Sequence, residues 1–334
     1  MRDTFQAVAR GGEQEIGVDR RIPNRLIWLD GKLVPWGEVM VHVLSHSVQR
    51  GSLVFDYMPV YETPRGPAVF RLPEHVARLF QSVGLVGLPL ARRPEELRAA
   101  VVETVRANPG AKAVKISAYL PSIEVDVVPV DTHVAVAIAA YDPRRDVLAH
   151  KAVPPPPAPT ALRVWLEKVR RQRRRDILPP QAKVAANYAS PMGAKWEAKK
   201  HGYDEVLLID EDGFIAEGPT TNVFLVDAAG HLHTPAEEHV LPGVTRSSVL
   251  ELAKHAGLTA VEEPFRSEEL LAAAEVFLTG TSGGVTPVVS VDDRKIGAVC
   301  PGPVTLRLRE RFEAAAHGRD PAFEHWLTYV EGAR

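Results

Sequence analysis

Lys183 is the residue of this sequence with the clearest chemical potential. It lies in the stretch LPPQAKVAANY (178–188), where two prolines stiffen the approach and small residues follow the lysine. Burial of a lysine disfavours the charged ammonium, so the neutral amine becomes available near neutral pH. A neutral amine can attack an aldehyde carbon and form a Schiff base. Without its flanking motifs, a lysine in such a stretch is more often a solvated surface residue than a catalytic one.

Three motifs downstream of Lys183 carry further polar groups. Glu217 lies in IAEGPTTNVF, where a solvated carboxylate at the end of a strand is as good an interpretation as a functional one. The LPGVTR turn at 241–246 opens a predicted helix, whose first N–H groups and dipole favour an anion. The segment GTSGGVTPV at 280–288 is a glycine-rich turn with hydroxyl groups. Each of these signals is weak alone, because such turns and loops are common.

In this order, the lysine stretch and the three motifs resemble the class IV aminotransferases, the fold type IV pyridoxal-phosphate enzymes. They are most similar to the branched-chain amino acid aminotransferases, and the resemblance extends over about residues 26–304. It implies pyridoxal 5'-phosphate as the cofactor. It also implies an α+β, two-domain fold of the D-amino acid aminotransferase type, with a small α/β domain and a larger domain that has a β-barrel-like core. The implied reaction moves an amino group between an aliphatic, branched-chain-like amino acid and 2-oxoglutarate.

The resemblance assigns three residues to the ring of the cofactor. Pyridoxal phosphate needs an amine for its aldehyde, an acid for its pyridine nitrogen and a donor to its phenolic oxygen. By match to the family motifs, these are Lys183, Glu217 and Tyr188. The freed amine of Lys183 would also carry the proton between the substrate and the cofactor. For Tyr188 alone, an ordinary half-buried tyrosine is the commoner interpretation.

The phosphate of the cofactor needs an anion site. The resemblance assigns it to Arg78 in EHVARL, to the N–H groups of Val244 and Thr245, and to the hydroxyl of Thr281. The helix N-terminus supports Val244 and Thr245 independently of the resemblance. An arginine on a helix is usually a surface charge, so Arg78 depends on the resemblance alone.

The substrate site is implied in the same way, but the sequence departs from the family there. Thr281 and Ser282 would hold the substrate carboxylate in the GTSGG turn, and Phe55 would form an apolar wall. Arg50 stands where the family has a tyrosine. Ile116, with Lys115 beside it, stands where the family has a strand arginine.

An unpaired guanidinium in a closed site is costly, so Arg50 is expected to meet a carboxylate. We therefore predict that Arg50 binds the second carboxylate of 2-oxoglutarate. The loop after AIAAY is a further departure, since it reads DPRRD and lacks the aromatic pair of the family.

The composition indicates a globular protein. The 334 residues suffice for two domains, and the formal net charge of −2 argues against nucleic acid or an anionic membrane as the main partner. Cys300 is the only cysteine, which excludes an intrachain disulfide and a thiolate metal site and suits the cytoplasm. We expect a cytoplasmic enzyme that binds an amino acid and a keto acid and no metal. The resemblance implies a homodimer or an assembly of dimers.

The pattern along the chain predicts four segments. Residues 1–25 are a polar arm, 26–152 form the small domain, the proline-rich stretch 153–159 is the linker, and 160–334 form the large, cofactor-binding domain. A hairpin is predicted around Asp30-Gly31, and further predicted strands include VHVLSH (41–46) and FIAEG (214–218). Helices are predicted after Pro73, from near Pro94, over 243–256 and from Ser190 to Gly202.

Other functions remain open on these residues. Arg50 and the arginine-rich run KVRRQRRR (168–175) favour a lyase that acts on an acidic aminated ring compound, as 4-amino-4-deoxychorismate lyase does. A solvated face is the commoner interpretation of such a run. A transaminase for D-amino acids or (R)-amines would use the same lysine, and a non-catalytic binding protein would use the same scaffold.

Overall fold

The computed structural model describes residues 24–151, 158–169, 172 and 174–330. Nearly all of the predicted arm, most of the predicted linker and positions 170, 171 and 173 of the basic run lie outside the described residues. The division into domains at 26–152 and 160–334 stays a prediction.

The described residues form fifteen strands: β1 (Leu26–Leu29), β2 (Lys32–Pro35), β3 (Val54–Thr63), β4 (Gly66–Phe70), β5 (Ala113–Tyr119), β6 (Ala135–Tyr141), β7 (Leu162–Leu166), β8 (Glu205–Leu207), β9 (Asn222–Val226), β10 (Leu232–Thr234), β11 (Ala260–Glu262), β12 (Glu275–Gly280), β13 (Gly284–Val291), β14 (Arg294–Lys295) and β15 (Leu327–Tyr329). Their seven α-helices are α1 (His46–Arg50), α2 (Leu72–Val86), α3 (Pro94–Ala107), α4 (Ala189–Lys200), α5 (Val244–His255), α6 (Ser267–Ala272) and α7 (Pro303–Ala316). Shorter helical turns lie at Trp36–Glu38, Pro143–Val147, Leu148–His150, Ala185–Tyr188 and Pro321–Trp326. None of these helices has both the length and the apolar character needed to cross a bilayer.

The first sheet has the strand order β15-β4-β3-β5-β6-β1-β2, and its neighbours are antiparallel. Asp30 and Gly31 form the turn between β1 and β2 with φ of 46° and 103°, which confirms the predicted hairpin. Helices α2 and α3 share a buried apolar cluster with this sheet. Strand β3 alternates: Val54, Asp56 and Met58 are fully buried. Phe55 therefore lies on the opposite face of the sheet from the helices.

The second sheet has the order β11-β10-β9-β12-β13-β7-β8, with β14 paired to β13. Its pairs β10–β11, β13–β7 and β7–β8 are parallel. Phe224 of β9 stacks on Phe277 of β12 at 5.0 Å between ring centroids, within a cluster that includes residues of α5 and α7. The start of β9 and the end of β12 therefore lie side by side, which places residues 217–222 near the turn at 280–284.

Three local predictions need correction. The strand predicted at 41–46 is wrong: Val41 and Val43 are exposed, Ser45 makes one isolated bridge with Ile123, and α1 begins at His46. The backbone is held by loop contacts instead, since the His46 N–H donates to the Ser122 carbonyl at 2.9 Å.

The strand predicted at 214–218 is also wrong. Its backbone donors are divided between two neighbours: Ile215 donates to Phe265, whereas Ala216 donates to Leu208.

Helix α4 begins at Ala189 rather than after a Ser190 cap, because the turn Ala185–Tyr188 continues directly into it.

Candidate active site

The backbone that carries Lys183 is fixed by hydrogen bonds to the segment that enters β3. Phe55 N–H donates to the Lys183 carbonyl at 3.0 Å, and Ala186 N–H donates to the Gly51 carbonyl at 3.2 Å. Gly51 has φ of +68°, and a Cβ there would lie 3.2 Å from the Ala186 Cβ, so a glycine is needed for this approach. The Lys183 N–H also donates to the Ser82 hydroxyl at 3.0 Å, which links the lysine to α2.

Lys183 lines a cleft together with Arg78, Tyr188 and Glu217. Nζ donates to the Tyr188 hydroxyl at 3.0 Å and lies 5.2 Å from the centroid of the Phe55 ring. Burial and the nearby Arg78 charge lower the pKa of Lys183 from 10.5 to about 8. Burial raises the pKa of Tyr188, so its phenol remains a proton donor. The neutral, nucleophilic form of the amine is therefore much more accessible near neutral pH than in an exposed lysine.

Glu217 faces the same cleft and is held by three N–H donors. Oε1 accepts from Gln172 Nε2 at 3.1 Å, and Oε2 accepts from Asn222 Nδ2 at 3.2 Å and from the Leu241 N–H at 3.1 Å. Burial raises the pKa of Glu217 from 4.5 to about 8, although the Leu241 N–H and nearby cations oppose this shift. The carboxyl therefore holds its proton in the cofactor-free cleft near neutral pH, and a cationic group that enters the cleft would favour its ionised form.

Arg78 reaches the cleft from α2, and its guanidinium is paired with the fully buried carboxylate of Asp56. Its Nε and Nη2 donate to the two oxygens of Asp56 at 2.9 and 2.8 Å, and Nη1 donates to the Pro242 carbonyl at 3.1 Å. His75 Nδ1 lies 2.7 Å from Asp56 Oδ1. Burial alone would raise the pKa of Asp56, but the Arg78 guanidinium and His75 hold it well below its usual range.

The N-terminus of α5 opens onto the cleft beside Arg78. The lining includes Gly243, Val244, Thr245 and Thr281. A Cβ at Gly243 would lie 1.9 Å from Asn222 Oδ1, so only glycine allows the turn to come this close. The first N–H groups of an α-helix have no partner within the helix, and together with an arginine they form a site for an anionic group such as phosphate.

Some buried oxygen atoms of the cleft are unsatisfied within the part of the chain that the structure describes. They are Thr221 Oγ1, Thr279 Oγ1 and Gln172 Oε1. Buried polar atoms normally have hydrogen-bond partners. The cleft thus combines an amine, a carboxyl, a phenol, an anion site and free polar atoms, a donor set that fits pyridoxal phosphate.

The structure brings all seven predicted cofactor residues to one cleft. They are Arg78, Lys183, Tyr188, Glu217, Val244, Thr245 and Thr281. Phe55 adjoins them, with its ring 5.2 Å from that of Tyr188, and the exposed Ser282 accompanies Thr281 in the turn.

Within the described part of the chain, the predicted substrate residues Arg50, Phe55 and Ser282 are absent from the lining of this cleft, and Arg50 contacts none of the cofactor residues. Arg50 is exposed, and its Nη2 donates to the Val125 carbonyl at 3.0 Å. Its predicted contact with a substrate stays a prediction.

Sequence reasoning missed Asp56, Gln172 and Asn222. Asp56 could have been found, because it alternates with Val54 and Met58 on the buried, apolar face of β3. A carboxylate on such a face needs a cation as its partner. Gln172 was hidden in a run whose arginines suggested a solvated face. Asn222 follows Glu217 by five residues, but only the fold shows that its side-chain amide donates to the Glu217 carboxylate.

This chain belongs to the class IV aminotransferases. The family described as "Amino-transferase class IV" matches residues 53–291. The branched-chain-amino-acid aminotransferase of Pseudomonas aeruginosa is 33% identical over 307 residues, which cover 92% of this chain and 97% of the relative. The protein of the same name from Escherichia coli is 32% identical over 305 residues, which cover 91% of this chain and 97% of the relative.

Solved structures agree with the sequence relatives. The branched-chain amino acid aminotransferase of Escherichia coli is 31% identical with a TM-score of 0.84, and the match covers 93% of this chain and all of that one. The branched-chain aminotransferase of Thermoproteus uzoniensis, with norvaline, is 32% identical with a TM-score of 0.82, covering 92% of this chain and 99% of that one. A third, from Thermobaculum terrenum in its PLP-form, is 29% identical with a TM-score of 0.82, covering 94% of this chain and all of that one. The chain is therefore a pyridoxal phosphate-dependent aminotransferase with an α+β fold, and the lyase and binding-protein alternatives lack this support.

Proposed function

We propose that this aminotransferase moves an amino group between an aliphatic, branched-chain-like amino acid and 2-oxoglutarate, with Lys183 as its catalytic residue. The observation that carries the proposal is the state of the Lys183 amine, which lies in the cleft 3.0 Å from the Tyr188 hydroxyl and has its pKa lowered to about 8. An amine whose pKa is near the working pH can both take up a proton and return it. The names of the relatives support the substrate class.

Lys183, Glu217 and Tyr188 would hold the ring of the cofactor. When bound, pyridoxal phosphate supplies an electron sink for the bond that breaks at the α-carbon of the substrate. Lys183 holds the aldehyde and then carries the proton at Nζ. Glu217, whose ionised form is favoured by its N–H donors, stabilises the protonated pyridine nitrogen. Tyr188 donates its phenolic proton toward the cofactor oxygen.

The phosphate would be held by the anion site at the start of α5. Arg78 supplies a permanent charge whose direction is fixed by Asp56. Val244 and Thr245 supply backbone N–H groups, and Thr281 supplies a hydroxyl. This fixed group anchors the cofactor while the bonds at Lys183 change.

The substrate pocket would lie on the face of the first sheet that carries Phe55. Ser282 and Thr281 in the turn after β12 are suited to bind the α-carboxylate. The Phe55 ring supplies an apolar wall, which suits leucine, isoleucine or valine. Tyr57 lies two residues further along the same face of β3, and burial raises its pKa to about 12, so it is a neutral wall residue.

Two cations of this chain are candidates for the second carboxylate of 2-oxoglutarate. Arg50 is the predicted one. Lys115 is paired in register with Tyr57, and its Nζ lies 4.8 Å from the centroid of the Phe55 ring. Separate Arg50→Leu and Lys115→Leu variants distinguish them: loss of the residue that binds this carboxylate should raise the KM for 2-oxoglutarate about tenfold or more, with a smaller effect on leucine. Equal losses for both substrates would contradict either assignment.

The Lys183→Ala variant tests the catalytic assignment. It should lose the yellow colour of bound cofactor and multiple-turnover activity while it keeps the thermal unfolding transition of the wild type. Lys112→Ala is the matched control, because the exposed Lys112 pairs with Glu62 on the surface. Normal turnover by Lys183→Ala would refute the assignment.

A panel of amino donors tests the substrate class. Keto-acid formation from L-leucine, L-isoleucine and L-valine with 2-oxoglutarate should exceed that from D-amino acids and (R)-amines. The reverse order would replace the proposed function by the D-amino acid or (R)-amine alternative.

We propose further that the protein is a homodimer or an assembly of dimers. Two neighbouring segments, 40–48 and 123–130, expose many large apolar side chains, namely Met40, Val41, Val43, Leu44, Val48, Ile123, Val125, Val127, Val128 and Val130. The segments are tied together, since the His46 ring bonds to the Val127 carbonyl at 2.8 Å. An exposed apolar surface of this kind fits a second copy of the chain. A fully active monomer in light scattering at assay concentration would contradict this.

The proposal also includes the location of the protein in the cell and its division into two domains. The protein acts in the cytoplasm on small-molecule amino and keto acids. Residues 26–152 and 160–334 are two domains joined by 153–159, so limited proteolysis should cut first between them. Earlier cleavage within either segment would count against this division.

A further inference from the structure

Gln172 is the one residue of the basic run that reaches the cleft among those the structure describes. Its backbone N–H donates to the Ile209 carbonyl at 2.9 Å, and its side chain lines the cleft. The charged neighbours on either side pair on the surface, Lys168 with Asp292 at 2.7 Å and Arg175 with Glu211 at 3.3 Å. The run therefore contains a polar residue whose position serves the site and not the solvated face.

The side-chain amide of Gln172 contacts Glu217 directly. Nε2 donates to Glu217 Oε1 at 3.1 Å. The other two donors, from Asn222 and Leu241, both go to Oε2. Within the described part of the chain, Gln172 is thus the one hydrogen-bond donor to Oε1.

We propose that Gln172 is a positioning residue that orients Glu217 toward the pyridine nitrogen of the cofactor and stabilises its ionised form. This inference rests on the proposed function, in which Glu217 pairs with that nitrogen. Burial disfavours a carboxylate, and each N–H donor to it favours the charged form. Without Gln172, Oε1 loses its donor and the carboxyl more readily takes a proton, after which it can no longer stabilise a pyridinium.

The side-chain amide of Gln172 donates a hydrogen bond without carrying a charge. An arginine at position 172 could also donate to Oε1, but its charge would neutralise the carboxylate and compete with the pyridinium. Glutamine donates a hydrogen bond and leaves the negative charge of Glu217 available for the cofactor. The sequence has arginines at 174 and 175, and both pair with surface carboxylates, Arg174 with Asp176.

The test compares pyridoxal phosphate with its 1-deaza analogue, in which a C–H group replaces the ring nitrogen. Equilibrium dialysis of the cofactor-free protein measures both dissociation constants for the wild type, Gln172→Leu and Gln172→Arg. The wild type should prefer pyridoxal phosphate. Both variants should weaken pyridoxal phosphate by about tenfold and change the affinity for the analogue less than about threefold.

Gln181→Leu is the matched control. This substitution also removes one amide donor, which lies 3.1 Å from the Glu237 carbonyl, but Gln181 does not contact Glu217. It should leave the preference for pyridoxal phosphate over the analogue unchanged. Gln172→Arg serves if Gln172→Leu fails to fold, as judged by its thermal transition.

The outcomes distinguish a failure of the role of Gln172 from a failure of the role of Glu217. If the wild type prefers pyridoxal phosphate and the Gln172 variants keep the same preference, the inference on Gln172 is refuted while the role of Glu217 stands. Equal weakening of both ligands would refute it as well, because that result marks a general structural role. If the wild type itself has no preference, the assignment of Glu217 fails and Gln172 has no function through it.

Discussion

Glu217→Gln should stabilise the cofactor-free protein, and its advantage should grow as the pH rises from 5 to 8. Burial raises the pKa of Glu217 from 4.5 to about 8. Between these values the folded protein retains a proton that the unfolded chain has released, so the wild type loses stability with rising pH. A glutamine does not ionise and avoids this loss.

The size of the effect follows from the same values. The interval between 4.5 and about 8 corresponds to on the order of 4 kcal/mol in the free energy of unfolding once the pH reaches the upper value. Lys183 contributes with the opposite sign in another window. Its pKa is lowered from 10.5 to about 8, so above about pH 8 the unfolded chain holds a proton that the folded protein has released, and stability rises with pH.

Urea unfolding of both cofactor-free proteins at pH 5, 6.5 and 8 measures this difference. The midpoint of the variant relative to the wild type should rise through the series. Glu238→Gln is the control, since Glu238 is exposed, and its midpoint should follow the wild type. Parallel curves for Glu217→Gln and the wild type from pH 5 to 8 would refute the reasoning that burial opposes ionisation here.

Three further predictions concern the charges of the cleft. Asp56→Asn leaves Arg78 without its buried counter-ion and should lower the free energy of unfolding at pH 7 by about 3–5 kcal/mol in urea unfolding; an unchanged midpoint would contradict this. Arg78→Ala should weaken cofactor retention about tenfold or more, because a charge-assisted phosphate contact contributes about 1.5–3 kcal/mol, and unchanged retention on dialysis would count against it. Labelling of Lys183 by an amine-reactive reagent in the cofactor-free protein, followed by mass spectrometry, should be half-maximal near pH 8, and a profile that rises only near about pH 10 would show an unperturbed lysine.

Most elements of the fold could be predicted because they depend on short-range patterns. The Asp30–Gly31 hairpin is encoded by two adjacent residues that accept positive φ. Helices α2, α3 and α5 have apolar spacing and prolines or glycines at their ends. The segment 41–46 misled the same reasoning, since its alternating valines are exposed and form no sheet. Strand β15 could not be predicted from a short C-terminal segment, because only tertiary pairing with β4 makes it a strand.

The candidate site likewise contains residues that local motifs predict and residues that no local motif predicts. Lys183, Glu217 and the turn before α5 are each read from local motifs, since each presents one functional group from a short loop. The residues that tune these groups come from far along the chain: Asp56 is 22 residues from Arg78, and Gln172 is 45 residues from Glu217. No local pattern relates such pairs, so the sequence alone does not show which residues are partners.

This division has a physical consequence for how the cleft works. The Lys183 amine and the Glu217 carboxyl have ordinary pKa values of 10.5 and 4.5, and burial in one cleft brings both to about 8. The lowered pKa of Lys183 lets its amine take up and return a proton, and the raised pKa of Glu217 lets a cationic partner change its charge. Arg78 cannot join this exchange, because Asp56 holds it as a permanent cation. The fold thus separates a fixed charge suited to the phosphate from two adjustable groups suited to the chemistry, and it does so through buried partners that the motifs themselves do not contain.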